Sequence, residues 1–282
     1  MMRIGFLIQL LVFGSLLSCC AGPKNQNSAG TGNALVFQNE TFTNASIFAM
    51  MEKAGKKQIQ QLEFINCNFQ GETGFGNSAG SYHGFSAGLL FKDCSFEGDV
   101  NLQAVSFAGQ ADFSKCRFKK NLILKNSVFL APFAFRNCGI DGEAGFQNCT
   151  FLKESTWMGS YFYNLALFQG SSFMKPAQFQ NVHFSGNADF TQCRFGDGAI
   201  FDFCIATGKL DFTESRQEGL MTFRKSALKK GAQLIKFRSF APLKFSETEF
   251  EDSLQVRGFR WFAEKPEILN PQGSKKPERL FE

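Results

Sequence analysis

Large apolar residues recur along this chain at steps that alternate between six and five. Phe107, Phe113, Phe118, Leu124, Phe129, Phe135, Ile140, Phe146, Phe151, Trp157, Phe162, Phe168, Phe173, Phe179, Phe184, Phe190, Phe195 and Phe201 keep that alternation without a slip, and Phe212, Phe223, Leu234, Phe245 and Val256 continue it at eleven-residue intervals. Such spacing cannot hold one face of a helix with 3.6 residues per turn. Two positions before most of these stands a small residue. It is mostly alanine in one half-repeat (Ala166, Ala177, Ala188, Ala199) and cysteine or serine in the other (Cys138, Cys149, Ser160, Ser171, Cys193, Cys204, Ser215). Residues two apart point the same way from an extended segment. Each short straight side therefore turns one small and one large residue inward. The residues between are rich in Gly, Asn, Asp, Lys and Ser, which suit corners.

A fixed period over so many units is the mark of a solenoid, whose units bury their apolar faces against one another. Comparing residues 22 apart aligns Cys94 with Cys116 and Cys138, and Cys149 with Ser171 and Cys193. A coil with four sides accounts for this. Eleven-residue spacing alone also permits two sides; four are preferred because both half-repeats need a corner. The predicted fold class is all-β, a parallel β-helix of about ten coils, roughly 45–50 Å long at the spacing of paired strands.

The units Ala188-Asp189-Phe190-Thr191-Gln192 and Cys193-Arg194-Phe195-Gly196-Asp197 resemble pentapeptide repeats, whose usual form is A-D/N-L/F-x-x, and the 5+6 alternation resembles a phenylalanine-centred variant of them. The resemblance covers residues 34–261 and implies a right-handed quadrilateral β-helix. Some members of that family imitate DNA with an acidic rod and bind topoisomerases. This chain has a formal net charge of +5, so that role and a nucleic-acid partner are not expected.

Residues 1–18 read as a signal peptide, with Arg3 followed by an apolar run from Ile4 to Leu17. The run is short of the ~20 residues of a transmembrane helix. It ends Leu16-Leu17-Ser18-Cys19, which resembles the lipobox of bacterial lipoproteins. Carried over, Cys19 is the lipidated first residue of the mature chain, held by roughly 0.8 kcal/mol per buried CH2. Residues 19–33 are small, polar and aperiodic, and read as a flexible tether. The expected address is the bacterial envelope, at the outer membrane in a Gram-negative cell.

The solenoid is expected over 34–261. Its rhythm blurs between Asn44 and Gln61. There residues 46–54 read as a short helical cap begun by Asn44 or Ser46, since a bare first coil would expose unpaired strand edges. Residues 71–84 are glycine-rich, carry Phe75, Tyr82 and His83, and read as a loop inserted in the wall. Gln217 and Ser239 occupy positions due large apolar residues, which predicts a looser C-terminal end. Trp261 falls on the beat and is placed to close the last coil. Residues 262–282, rich in proline and charge, read as a disordered tail.

Seven cysteines (Cys67, Cys94, Cys116, Cys138, Cys149, Cys193, Cys204) occupy the small inward slot. Side chains stacked ~4.8 Å apart and pointing the same way suit a disulfide poorly. They are read as buried free thiols acting as small hydrophobes, without metal. His183 points outward and alone, and Asp189 and Asp211 are outward neighbours at the repeat's usual Asp position. No phosphate loop, zinc spacing or nucleophile elbow occurs, so neither cofactor nor enzymatic activity is expected.

Arg194, Arg216, Arg238 and Arg260 each lie 22 residues beyond the last, just before an inward position. They should stack as an outward ladder. Like charges on adjacent strands destabilise, and Glu214 and Glu218 are at hand to compensate. The ladder is the candidate stripe for an anionic ligand, such as an acidic polysaccharide or a lipid head group. The function read from the sequence is a non-catalytic, lipid-anchored scaffold or interaction protein of the envelope, with a protein or anionic polysaccharide as partner. The alternative is a glycan-processing or glycan-binding protein using an outer face.

Overall fold

The computed structural model describes residues 33–47, 49–50, 53, 58–74 and 83–273. The expected signal segment, Cys19, nearly all of the expected tether, Phe75, Tyr82, the side chain of His83 and residues 274–282 lie outside the described parts.

The strands form four parallel sheets of eleven, ten, nine and nine members. Successive strands visit the sheets in rotation, so each sheet is one wall of a four-sided solenoid. In one turn, Ser155–Thr156 lies in the first wall, Tyr161–Phe162 in the second, Ala166–Leu167 in the third and Ser172–Phe173 in the fourth, before Ala177–Gln178 returns to the first. Along the fourth wall Gly84, Ser106, Val128, Thr150, Ser172 and Arg194 are direct partners in successive strands, each 22 residues from the last. Carried to Arg260, this gives about eight turns at that spacing.

The two turns before these are longer, with Ala34 opposite Gln61 and Gln61 opposite Gly88, 27 apart. In the first, Ile47, Ala49, Met50 and Lys53 are helical. The Ser46 hydroxyl accepts the Ala49 amide at 3.2 Å. Asn44, the other cap candidate, instead accepts the amide of Glu72 at 3.1 Å. In the second, the extra residues fall between Thr73–Gly74 and His83–Phe85.

The bore is filled by rings whose separation the backbone dictates. Within a wall they stack parallel at strand spacing: Phe96 on Phe118 at 4.6 Å and 1°, Phe179 on Phe201 at 4.7 Å and 2°. Between walls they meet edge to face, as do Phe179 and Phe190 at 86°. Both geometries satisfy the ring quadrupole.

From Asp93 to Gly258, every eleventh residue has a positive φ, including Asn126 at 56°, Asn148 at 54° and Gln192 at 57°. Asn, Asp and Gly accept this conformation at least cost. An inward slot follows each of these corners, and where it holds Cys, Ser or Thr its polar atom has a task. The Ser171 hydroxyl accepts the amide of Cys149 at 2.9 Å and donates to the carbonyl of Phe146 at 2.6 Å. Thiols do the same less strongly: Cys149 donates to Leu124 at 3.1 Å and Cys193 to Phe168 at 3.0 Å. Corner amides and carbonyls left out of the wall ladders are thus paired by the next turn's side chain. The slot residues are hydrogen-bonding groups as well as small hydrophobes.

Three expectations for the C-terminal end are corrected. Gln217 and Ser239 are fully buried rather than loose. Gln217 donates to the carbonyls of Ala241 and Pro242 at 2.6 and 3.0 Å, and Ser239 to Ala241 at 2.9 Å. Hydrogen bonds to a corner replace ring stacking there. Trp261 does not seal the bore, being 40% exposed. The stretch after 262 is not tail throughout: Glu267–Leu269 pairs with Leu243–Ser246 in the first wall, and Ile268 packs opposite Phe245.

Candidate functional site

Strand alternation sends Phe195 inward and Arg194 outward, and the register repeats that choice in each turn of the fourth wall. Arg194 faces Arg216, Arg216 faces Arg238, and Arg238 faces Arg260. The four predicted arginines therefore form one column, at about 4.7–4.9 Å per strand. Ser106, Val128, Thr150 and Ser172 continue it toward the N-terminal end, so the column carries no carboxylate over those turns.

A second column runs beside it at the preceding corner, through Gln192, Glu214, Lys236 and Gly258. Between the two lies a groove of about 710 Å³ lined by both sets. Gly258, at φ 69°, adds no side chain and leaves the groove open at that end.

The charges are compensated unevenly. Glu218 accepts from Arg194 through Nη2 at 2.8 Å and Nε at 3.2 Å, and also from Arg216. Its carboxyl is held below the usual range, first by the Arg194 hydrogen bond and then by Arg216. Glu214 accepts from Lys236 Nζ at 2.9 Å and Gln192 Nε2 at 3.2 Å. The Lys236 bond is the main cause of its lowered pKa. Among the described residues, Arg238 and Arg260 have no ion pair, and both are exposed. The surplus of positive charge sits at the C-terminal end of the groove. Planar guanidinium forks repeated at strand spacing suit carboxylate, sulfate or phosphate groups presented in a row.

The other sequence candidates resolve differently. Asp189 and Asp211 are direct partners, but each accepts the amide two residues on, Thr191 at 2.8 Å and Thr213 at 2.9 Å. They are turn-forming residues rather than a carboxylate pair. His183 is not alone: its ring lies 4.9 Å from that of Tyr161, which stacks on Tyr163 beneath the guanidinium of Arg117. Sequence reading missed this cluster, although the 22-residue comparison already pairs positions 161 and 183.

The seven body thiols are free and buried. Burial pushes Cys149 and Cys204 up to about 12, so neither is a nucleophile near neutral pH. Among the described residues, no group of three or more His, Cys, Asp or Glu is placed to hold a metal ion, and no helix is long and apolar enough to cross a membrane. Cys19 lies outside the described residues.

A family model for pentapeptide repeats (nine copies) matches residues 85–128 and 168–216, the second stretch taking in Arg194 and Arg216. Over those residues the chain is similar to pentapeptide repeats, and its four-sided parallel β-solenoid is consistent with them. No curated protein and no solved structure matches the chain.

Proposed function

We propose that the protein is a non-catalytic, lipid-anchored scaffold of the bacterial envelope that binds an anionic partner along its fourth wall. The observation that carries the binding role is the arginine register. Four guanidiniums share one column, and the two at its C-terminal end lack a carboxylate partner among the described residues. The two carboxylates beside the column, Glu214 and Glu218, are bound to cations and held in the charged form. That suits counter-ions rather than the raised-pKa acid a glycosidase needs, and favours a binding module over a glycan-processing enzyme. Anchoring rests on the apolar run Ile4 to Leu17 ending at Ser18-Cys19.

The binding role is tested on a heparin-type column. Arg216→Gln with Arg238→Gln should abolish retention of the folded protein; unchanged retention contradicts the role. Anchoring is tested by labelled fatty-acid incorporation, which Cys19→Ala should eliminate; label persisting in that variant contradicts it.

A further inference from the structure

The corner that follows the fourth wall carries its own column. The amides of Leu152, Met174, Phe240 and Phe262 each donate to a carbonyl one turn back, at 3.0, 2.9, 2.9 and 2.8 Å. Gly196 and Glu218 make the same bond between Met174 and Phe240, so these residues line one edge of the solenoid in register, two positions on from the outward residues of the wall. Leu130 and Leu152 on that edge are 41% and 38% exposed, and Phe240 and Phe262 are 41% and 58% exposed. The two phenylalanine rings stack at 4.5 Å and 8°, and the guanidinium of Arg216 lies 6.0 Å over Phe240. A preorganised ring pair thus borders the end of the groove where, among the described residues, Arg238 and Arg260 have no ion pair.

We infer that this edge and the arginine column together form a docking surface for an anionic lipid bilayer. The inference rests on reading the fourth wall as anion-binding, and adds what the anion belongs to. A soluble polyanion could occupy the arginines but would leave the stacked rings in water. A bilayer meets both requirements. Rings enter the boundary between head groups and acyl chains, while guanidiniums a few ångströms away meet the phosphates. Charge complementarity selects anionic over zwitterionic lipid, because the surplus at Arg238 and Arg260 is answered only by net negative charge. The outward row of Ser106, Val128, Thr150 and Ser172 on the same wall carries no acidic group, and Glu218, on the edge beside Phe240, is neutralised by Arg194 and Arg216.

Trp261, on the inward beat opposite Ser239, reports on contact at this end of the solenoid. It lies between Arg260 and Phe262 and is 40% exposed, whereas Trp157, the other tryptophan, is fully buried and gives a constant background. The full chain is reconstituted in phosphatidylcholine vesicles with brominated acyl chains, with and without phosphatidylglycerol. Quenching of Trp261 should appear in the anionic vesicles and be weak in the zwitterionic ones. Phe240→Ala with Phe262→Ala should lower the membrane-contacting fraction at least about tenfold. Phe203→Ala, an exposed ring on another part of the solenoid, should leave it unchanged. Equal quenching in the two vesicle types, or none in either, overturns the bilayer inference. If heparin retention persists in that case, the anion-binding wall stands without it. If retention is also absent, the reading of the wall itself fails.

Discussion

The backbone amide of Cys193 donates to the hydroxyl of Ser215, one turn further along, at 2.9 Å. That hydroxyl donates in turn to the carbonyl of Phe190 at 2.6 Å. One small side chain therefore pairs two main-chain groups at a buried corner. Ser215→Cys should be nearly neutral, because a thiol fills the same slot in neighbouring turns. Ser215→Ala should cost about 1–3 kcal/mol, the penalty for a buried group left unpaired. Chemical denaturation of the three proteins checks this, and equal stability of the Ala and Cys variants would refute it.

Ala104 stands at one of the positive-φ corners, at 57°. An alanine there gains nothing from the conformation, whereas asparagine tolerates it. One turn on in the same column, Asn148 donates to Asn126 at 3.2 Å. Ala104→Asn should raise stability by up to about 1 kcal/mol, seen as a higher melting temperature. A lower melting temperature would show that the corner is held by something other than backbone preference.

Phe190 stacks between Phe168 and Phe212 at 4.7 and 5.0 Å and meets Phe179 and Phe201 edge-on. Phe190→Ala removes a ring from the middle of a continuous stack and should cost about 3–5 kcal/mol. Denaturant titration measures this, and a loss below that of Phe240→Ala would contradict the packing described.

Burial raises the thiols of Cys149, Cys193 and Cys204. Iodoacetamide at mildly alkaline pH should therefore leave the seven body cysteines intact in the folded protein and alkylate them in denaturant. Mass spectrometry reads the count. Rapid native alkylation of Cys149 or Cys204 would contradict their placement.

Much of the architecture was legible because inward positions obey one packing rule. A residue entering the bore must match the ring above and below it, so Phe179, Phe190 and Phe201 betray walls and turns by spacing alone. The arginine column followed from the same arithmetic. The same 22-residue step also pairs Tyr161 with His183 and Phe240 with Phe262, but outward residues vary freely in type, so nothing in the pattern singled those pairs out. The polar task of the slot was hidden because Cys, Ser and Ala are similar in size, and size was the property being compared. The strand Glu267–Leu269 escaped because Lys244 and Glu267 are 23 apart, one step off the beat.

The Glu218 carboxyl is held low, chiefly by Arg194 and then by Arg216. A group with a depressed folded pKa contributes stability above its unfolded pKa, about 4.3 for glutamate. That contribution is lost as pH falls through the lower folded value. Glu218→Gln should therefore flatten the acid limb of stability below about pH 4 and lower stability at neutral pH by that same amount, which is small because the pairs are partly exposed. At neutral pH the same variant should bind polyanions more tightly, because Arg194 and Arg216 are released. A parent-like acid limb in the variant would assign the pH dependence to another group.

Calorimetric titration of a sulfated, heparin-type oligosaccharide tests the cationic wall most directly. The parent chain should bind it, and Arg238→Gln with Arg260→Gln should weaken binding by about tenfold. Arg117→Gln with Arg136→Gln, on the second and first walls, should bind as the parent does. Equal affinity for the parent and the fourth-wall variant, or equal losses from both variants, would contradict the assignment of binding to this column.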